Sequence, residues 1–249
     1  MNNRIKHPII VFAAGIVLLA ASSIGATRAT FTYQSDAQQV DFSTSTLTVA
    51  LQEERDGKFV DVAEDGQLVF SSLQNDDGEY DFNIGQDYPE NVQVVNTSPG
   101  GYDEYVRVVV RKSWVKDGVK DTELNPDAIV LDYAAGWIID DETEEGVVLY
   151  YPTPLKAINQ DASAKVPVIN NIRIDNMIWK YVKTVDKEGE KGTIINEYKY
   201  NDEAFLVELR VDAVQAHNGQ DAILGAWGAD VELSGNTITS VNGSTIKTE

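Results

Sequence analysis

The chain contains no cysteine and only two histidines among its 249 residues. Without cysteine, disulfides, thiol catalysis and thiolate metal sites are excluded, so packing and strand pairing must hold the fold together. A zinc protease needs His-Glu-x-x-His on one helix, with a glutamate that activates water. His217 has no second histidine near it, and no Gly-x-Ser-x-Gly elbow is present for a serine nucleophile.

Basic residues are also scarce, with 20 Lys and Arg against 40 Asp and Glu. Removal of residues 1–29 would take away three basic residues and no acid, leaving a net charge of −23. A surface of this sign repels phosphate, and nucleic-acid binding needs a basic patch. The basic residues between Arg107 and Lys116 alternate with valines and predict a solvated strand face. We therefore expect no nucleic-acid partner.

Paired carboxylates are the one catalytic arrangement that the composition leaves open, because their separation is a property of the tertiary structure. The abundance of acids makes accidental pairs certain. We predict that the chain is not an enzyme and has neither a catalytic residue nor a cofactor. A secreted hydrolase is kept as the last of three hypotheses.

The N-terminal segment has the pattern of a signal peptide. Arg4 and Lys6 precede an apolar run from residue 8 to residue 24, and Thr27 and Ala29 are the small residues that a signal peptidase prefers. Cleavage is predicted after Ala29, with Thr30 as the fallback, so residues 1–29 are a signal-peptide helix and the mature chain is secreted. The alternative is an uncleaved anchor, because about 20 apolar residues suffice to cross a bilayer.

Residues 30–249 read as a single domain of nine or more short strands separated by turns. They predict an all-β fold, an antiparallel β-sandwich with jelly-roll-like topology. Tyr105–Trp114 is the clearest strand, with Val106, Val108 and Val110 on one face. Residues 67–70 are predicted as another short strand.

The C-terminal end departs from this strand pattern. Residues 220–227 have the spacing of one short helix, with Ala222, Ile223, Ala226 and Trp227 on one face. Asn218 is the expected N-cap. Residues 231–249 are expected to form a weakly structured tail.

Two acidic clusters raise the question of calcium. One holds Asn75, Asp76, Asp77, Glu79 and Asp81, and the other covers residues 140–145. An EF-hand loop needs acids at alternate positions, a glycine at the sixth and a glutamate at the twelfth, and neither cluster has that spacing. We predict solvated loops and no metal ligand.

Several strand patterns resemble the TasA/camelysin-like family of exported Gram-positive matrix proteins. The resemblance covers Gly25–Phe31 (GATRATF), Gln39–Leu51 (QVDFSTSTLTVAL), Val92–Trp114 and Val207–Ala216 (VELRVDAVQA), and more loosely residues 137–169. Ser45 stands where the family usually has Gly, and Thr48 where it has Asp. Camelysin-like proteins are linked with metallopeptidase activity, for which this chain lacks the histidines.

The resemblance implies a structural function. In that family the N-terminal segment released by signal cleavage inserts into the next subunit of a fibre. Here residues 30–40 would be the donor strand, with Phe31, Tyr33 and Val40 as the side chains that fill the acceptor. The expected protein is a secreted subunit of a biofilm matrix or cell-surface fibre. Its partners would be its own copies, a nucleating or accessory matrix protein and a dedicated signal peptidase.

A different class of function remains open beside this one. The same β-sandwich would serve as a monomeric cell-surface adhesive module that binds a ligand and is stabilised by calcium at the acidic loops. The two readings differ in whether the N-terminal arm is donated to a neighbour.

Overall fold

Short alternating segments of the chain form antiparallel β-strands in the computed structural model, which describes residues 47–78, 80–157, 164–186, 194–200 and 203–246. These residues lie within one compact unit, Thr44–Glu249. The strands are β1 (Val49–Arg55), β2 (Lys58–Asp61), β3 (Tyr88–Asn96), β4 (Glu104–Lys116), β5 (Val119–Asp121), β6 (Ile129–Tyr133), β7 (Ile138–Thr143), β8 (Gly146–Tyr150), β9 (Lys165–Ile174), β10 (Val182–Asp186), β11 (Ile194–Tyr198), β12 (Ala204–Gln215), β13 (Val231–Ser234) and β14 (Thr237–Val241).

Two five-stranded sheets make up the body of the described chain. The first has the order β2-β1-β3-β9-β6, and the second has the order β12-β4-β8-β7 with β5 paired to the end of β4. Strands β10 and β11, and strands β13 and β14, form separate hairpins. The all-β antiparallel fold is thereby confirmed, while the jelly-roll-like topology stays a prediction.

The main hydrophobic core draws on both sheets, as a sandwich requires. Val94 of β3 and Val168 of β9 come from the first sheet, and Val108 of β4 and Val207 of β12 from the second. Along β4 the valines at 106, 108 and 110 are buried and the residues between them are less so, because alternate side chains point to opposite faces. This part of the sequence prediction is confirmed.

Two of the four basic residues of β4 differ from the solvated face that was predicted, whereas Arg111 and Lys116 are exposed. The side chains of Arg107 and Lys112 are only 16% and 14% exposed. Arg107 donates from Nε to Asp212 at 2.9 Å and its guanidinium lies 5.1 Å from the ring centre of Trp227. Lys112 donates to the carbonyl of Ile129 at 3.0 Å. Neighbouring elements cover these two cations, a packing that strand alternation alone does not reveal.

The predicted helix near the C-terminal end is present as α1 (Gly219–Trp227), with Ile223 fully buried. Ala226 is exposed, contrary to the expected apolar face. Asn218 makes no side-chain cap hydrogen bond and has a left-handed backbone with φ of 53°. Asn218 is the N-cap residue as predicted, and its carbonyl accepts the N–H of Ala222 at 3.0 Å. Its side chain does not cap the helix, because a capping side chain needs an extended backbone at that position.

The described part of the predicted tail, residues 231–246, has more regular structure than was expected. Strands β13 and β14 pair as a hairpin, with a bulge between Glu232 and Leu233. Val231, Ile238 and Val241 are buried in a second cluster together with Ile223 of α1. The hairpin thus covers the face of β4 that points away from the main core, which a Ser/Thr-rich composition does not indicate.

Residues 67–70 do not form the predicted strand. Gln67 makes one isolated bridge to Glu208, and a 3₁₀ turn, Ser71–Leu73, follows Phe70. Phe70 is fully buried with a left-handed φ of 54°. That backbone turn ends any extended pairing.

Candidate strand-acceptor edge

The residues predicted for processing and strand donation all precede the described part of the chain. These are Ala29, Thr30, Phe31, Tyr33 and Val40. The signal segment, residues 1–29, and the arm, residues 30–40, lie there too. Within the residues that the structure describes, no helix is long and apolar enough to cross a membrane. The strands that would accept the arm lie within the described residues.

Strand β12 is the last strand of the second sheet, and its outer edge is covered over only part of its length. The N–H of Leu209 donates to the carbonyl of Gly66 at 2.8 Å, and the N–H of Leu68 donates to the carbonyl of Val207 at 3.1 Å. Backbone groups of alternate residues point to the same edge of a strand. The groups of Val211 and Ala213 therefore point to this outer edge as well.

Beyond Leu209 no described strand pairs with that edge of β12. The side chains of Val211 and Ala213 face the main core but are only half-buried. Opposite them in β4 stand Val108 and Val106, which are fully buried. The core is therefore less well covered along the C-terminal half of β12 than along β4 beside it.

The first residue of β1 has a similar position in the first sheet. The N–H of Thr97 donates to the carbonyl of Thr48, which points toward β3, so the backbone groups of Val49 point away from β3. Within the described strands, β2 pairs only with Gln52–Arg55. Val49 is half-buried against the main core. Cα atoms of β1 and β12 come within 8 Å of each other, so these two strands lie close together.

We call this feature the open edge, defined by Val49, Val211 and Ala213. It combines outward-pointing backbone groups with apolar side chains that need more cover. Unpaired N–H and C=O groups on a strand edge are a template for another strand. The arrangement can therefore accept an extended segment.

A buried polar cluster lies at one end of the open edge. Glu104, opposite Gln215 of β12, is fully buried, and its Oε1 accepts the hydroxyl of Ser98. The N–H of Thr48 donates to the Oγ of Ser98 at 2.8 Å. Burial raises the pKa of Glu104 from 4.5 to about 7, and hydrogen bonds from Ser98 and Thr48 lower it by less. The cluster ties the start of β1 to the start of β4.

A second pair of acids tests the hydrolase hypothesis. Glu53 and Glu90 lie together but are only 0% and 2% exposed. Burial, then the charge of Glu53 and a hydrogen bond to it, raise the pKa of Glu90 to about 9. A substrate has no access to carboxyls that are covered in this way, so the pair belongs to the packing of the sheet.

The acidic loops and the histidine show no metal-binding arrangement in the described ranges. No group of three His, Asp or Glu residues there could hold a metal ion. Asn75 accepts the N–H of Asp77 at 3.0 Å, as in an Asx turn. Asp140 accepts hydrogen bonds from Asn242 and Ser244. His217 is exposed just after β12.

Sequence reasoning did not single out Glu53, Glu90 or Glu104. A signal was present for two of them, because Glu53 follows Leu51 and Glu104 precedes Val106 at the spacing of one strand face. A charged residue at a core-facing position predicts a buried polar group with a hydrogen-bond partner. The sequence does not indicate the position of Val211 and Ala213 at an edge, because alternation shows which face of a strand is buried and not whether the strand is the last of its sheet.

Comparison with family models, with curated proteins and with solved structures found no match for this chain.

Proposed function

We propose that the chain is a secreted structural subunit of an extracellular or cell-surface fibre and that it assembles by N-terminal strand donation. Residues 30–40 of one copy would pair with the open edge of the next. The observation that carries the proposal lies in the C-terminal half of β12. There Val211 and Ala213 present backbone groups and half-buried side chains that no described strand covers.

The dimensions of donor and acceptor agree. The uncovered stretch of β12, residues 211–215, spans about 17 Å at ~3.4 Å per residue, and the arm is longer than that. Phe31 and Tyr33 are two residues apart, so both would face the core beside Val211 and Ala213. Val40 has the opposite parity, so it shares their face only if a bulge intervenes.

Export and processing complete the proposal. The signal-peptide pattern supplies a mature N-terminus at or near Phe31, which frees the arm for donation. A dedicated signal peptidase would process the chain, and a nucleating or accessory matrix protein would offer the first acceptor edge or donor strand. Main-chain hydrogen bonds provide the affinity in such strand addition, and alternate side chains provide the specificity.

The donor is tested by electron microscopy and sedimentation of the protein recovered from culture medium, with and without residues 30–40. We expect fibres from the intact chain and single particles from the shortened one. Equal behaviour of the two would reject the donor role.

The acceptor is tested by Ala213→Pro, because proline removes an N–H that points to the open edge and leaves the ladder with β4 intact. Ala213→Ser is the matched control, since it keeps that N–H at nearly the same volume. We expect the proline variant to fold and stay unassembled and the serine variant to assemble. A wild-type particle that remains single at high concentration would favour the monomeric adhesive module instead.

A further inference from the structure

Glu104 occupies a position in β4 that otherwise belongs to core side chains. It continues the face of Val106 and Val108, and it is fully buried. Its backbone is fixed by two hydrogen bonds with Leu155, of 3.0 and 2.7 Å. The carboxyl is therefore held inside the end of the sandwich, next to the open edge.

The hydrogen bonds of this carboxyl lead to the first residues of β1. Ser98 has one hydroxyl hydrogen and two neighbours that can accept it. These are the Oε1 of Glu104 and, at 3.4 Å, the carbonyl of Thr48. The Oε2 of Glu104 is buried and has no hydrogen-bond partner among the described residues. The N–H of Thr48 donates to the Ser98 oxygen.

The cluster has two arrangements that differ by one proton. When Glu104 is ionised, Ser98 must give its hydrogen to the carboxylate, and one carboxylate oxygen stays buried without a donor, which is costly. When Glu104 is protonated, its O–H can donate to Ser98, whose own hydrogen is then free for Thr48. The hydrogen bond from Thr48 favours the ionised carboxyl, but the cost of burying its charge is larger, so the closed arrangement around Thr48 is more stable when Glu104 is protonated.

No described charge compensates the ionised form. From β12 the facing residue is the neutral Gln215, and His217 is exposed beyond it. Asp103, which precedes Glu104 in the chain, pairs with Lys156 at 2.5 Å. From β3 and β1 the neighbours are the neutral Asn96, Ser98 and Thr48. Burial is accordingly the largest influence on the pKa of Glu104.

We propose that Glu104 is a proton-dependent latch for the open edge. In the protonated state it closes the end of the sandwich over Thr48, which orders Val49 and preforms the acceptor. In the ionised state this end takes up water and β1 loosens at its first residues. The effect on assembly rests on the function proposed above, because a preformed edge binds a strand at a lower ordering cost. Strand acceptance is then favoured below neutral pH.

The latch itself is measured without assembly, by hydrogen exchange of the Thr48 amide expressed as a protection factor. If opening returns the pKa of Glu104 from about 7 to 4.5, linkage predicts that protection falls about 30-fold between about pH 5.5 and pH 8. The variant Glu104→Gln, which stays neutral, should show less than about a threefold change. An equal fall in wild type and variant would overturn the proposal.

Two control variants separate this effect from other titrations. Glu90→Gln changes a buried acid whose pKa of about 9 lies above the window, and His217→Gln removes the exposed histidine. Both should keep the wild-type fall in protection. If Glu104→Gln does not fold, Ser98→Ala replaces it, because loss of the hydroxyl breaks the route to Thr48. A full pH response at Thr48 in Ser98→Ala would equally contradict the latch.

Assembly is then followed by sedimentation of the secreted chain over the same pH range. We expect the wild type to assemble more at the acidic end and Glu104→Gln to assemble equally throughout. Protection that changes with pH in a protein that never assembles would support the latch and reject the proposed function. Assembly in wild type that is independent of pH, with flat protection, would support the function and reject the latch.

Discussion

The carboxyl of Glu90 is hydrogen-bonded to that of Glu53 in the interior of the first sheet. Glu53 accepts four hydrogen bonds. Its Oε1 accepts the N–H groups of Val69 and Phe70, both at 2.8 Å, and its Oε2 accepts Arg55 Nε and Nη2 at 2.8 and 2.6 Å. Glu90 has a raised pKa beside this acid and is therefore held in its protonated form at neutral pH.

This pair predicts a loss of stability as the pH rises from about 4.5 to about 9. The pKa of Glu90 is raised from 4.5 to about 9 in the folded state, so its contribution is complete below pH 4.5 and is lost as the pH rises through 9. The slope is at most about 1.4 kcal/mol per pH unit within that window. The variant Glu90→Gln should flatten the dependence, as measured by urea unfolding between about pH 6 and pH 9.

A wild-type slope that Glu90→Gln leaves unchanged would show that other groups cause the loss of stability with rising pH. The control is Glu123→Gln, which replaces an acid at an exposed position. It should keep the wild-type slope.

Gly66 is predicted to be intolerant of any side chain because it approaches β12 closely. A Cβ at this position would lie 2.1 Å from the carbonyl oxygen of Leu209, and its φ is +75°. Gly57 has nearly the same φ, +74°, with nothing within 4 Å of its Cβ position. Both Gly→Ala variants should lose about 1–2 kcal/mol to the left-handed backbone, and Gly66→Ala about 1–3 kcal/mol more from overpacking.

Thermal or urea unfolding of the two glycine variants measures this difference. Equal losses would mean that the pairing between residues 66–68 and β12 yields without cost. In that case the backbone pairing along the covered half of the β12 edge would contribute little to stability.

The hairpin β13–β14 is predicted to contribute to the stability of the whole unit. Ile238 is fully buried and its N–H donates to the carbonyl of Pro152 at 2.8 Å. We expect Ile238→Ala to cost about 2–5 kcal/mol. The exposed Thr237→Ala, one position earlier, should stay within about 0.5 kcal/mol of wild type. The measurement is urea unfolding. A small loss in both variants would show that the hairpin contributes little to stability, as expected of a weakly structured tail.

Salt should promote assembly if strands are donated between copies. The mature chain would carry a net charge of −23, so copies repel one another, whereas main-chain hydrogen bonds are insensitive to net charge. Raising the ionic strength from about 0.01 M to about 0.15 M shortens the screening length from about 30 Å to about 8 Å. The assembled fraction in sedimentation should rise, and a fall would indicate association through ion pairs.

The predictions that succeeded were those that depend on neighbours in the sequence. The alternation in β4 predicted which valines face the core, and the spacing around Ile223 predicted a helix. The errors arose where one element covers another. The cover over Arg107 and Lys112 and the burial of Ile238 depend on packing partners far along the chain.

The sequence by itself determined that this is a chain of paired strands, because side-chain direction in a strand alternates with a period of two whatever the partner. Only the tertiary structure decided which strands lie at an edge and which polar groups meet. Thr48 and Ser98 are 50 positions apart, and the register of β1 on β3 brings them beside Glu104. The open edge and its buried acid are products of that register, since local preferences leave the choice of partner strand undecided.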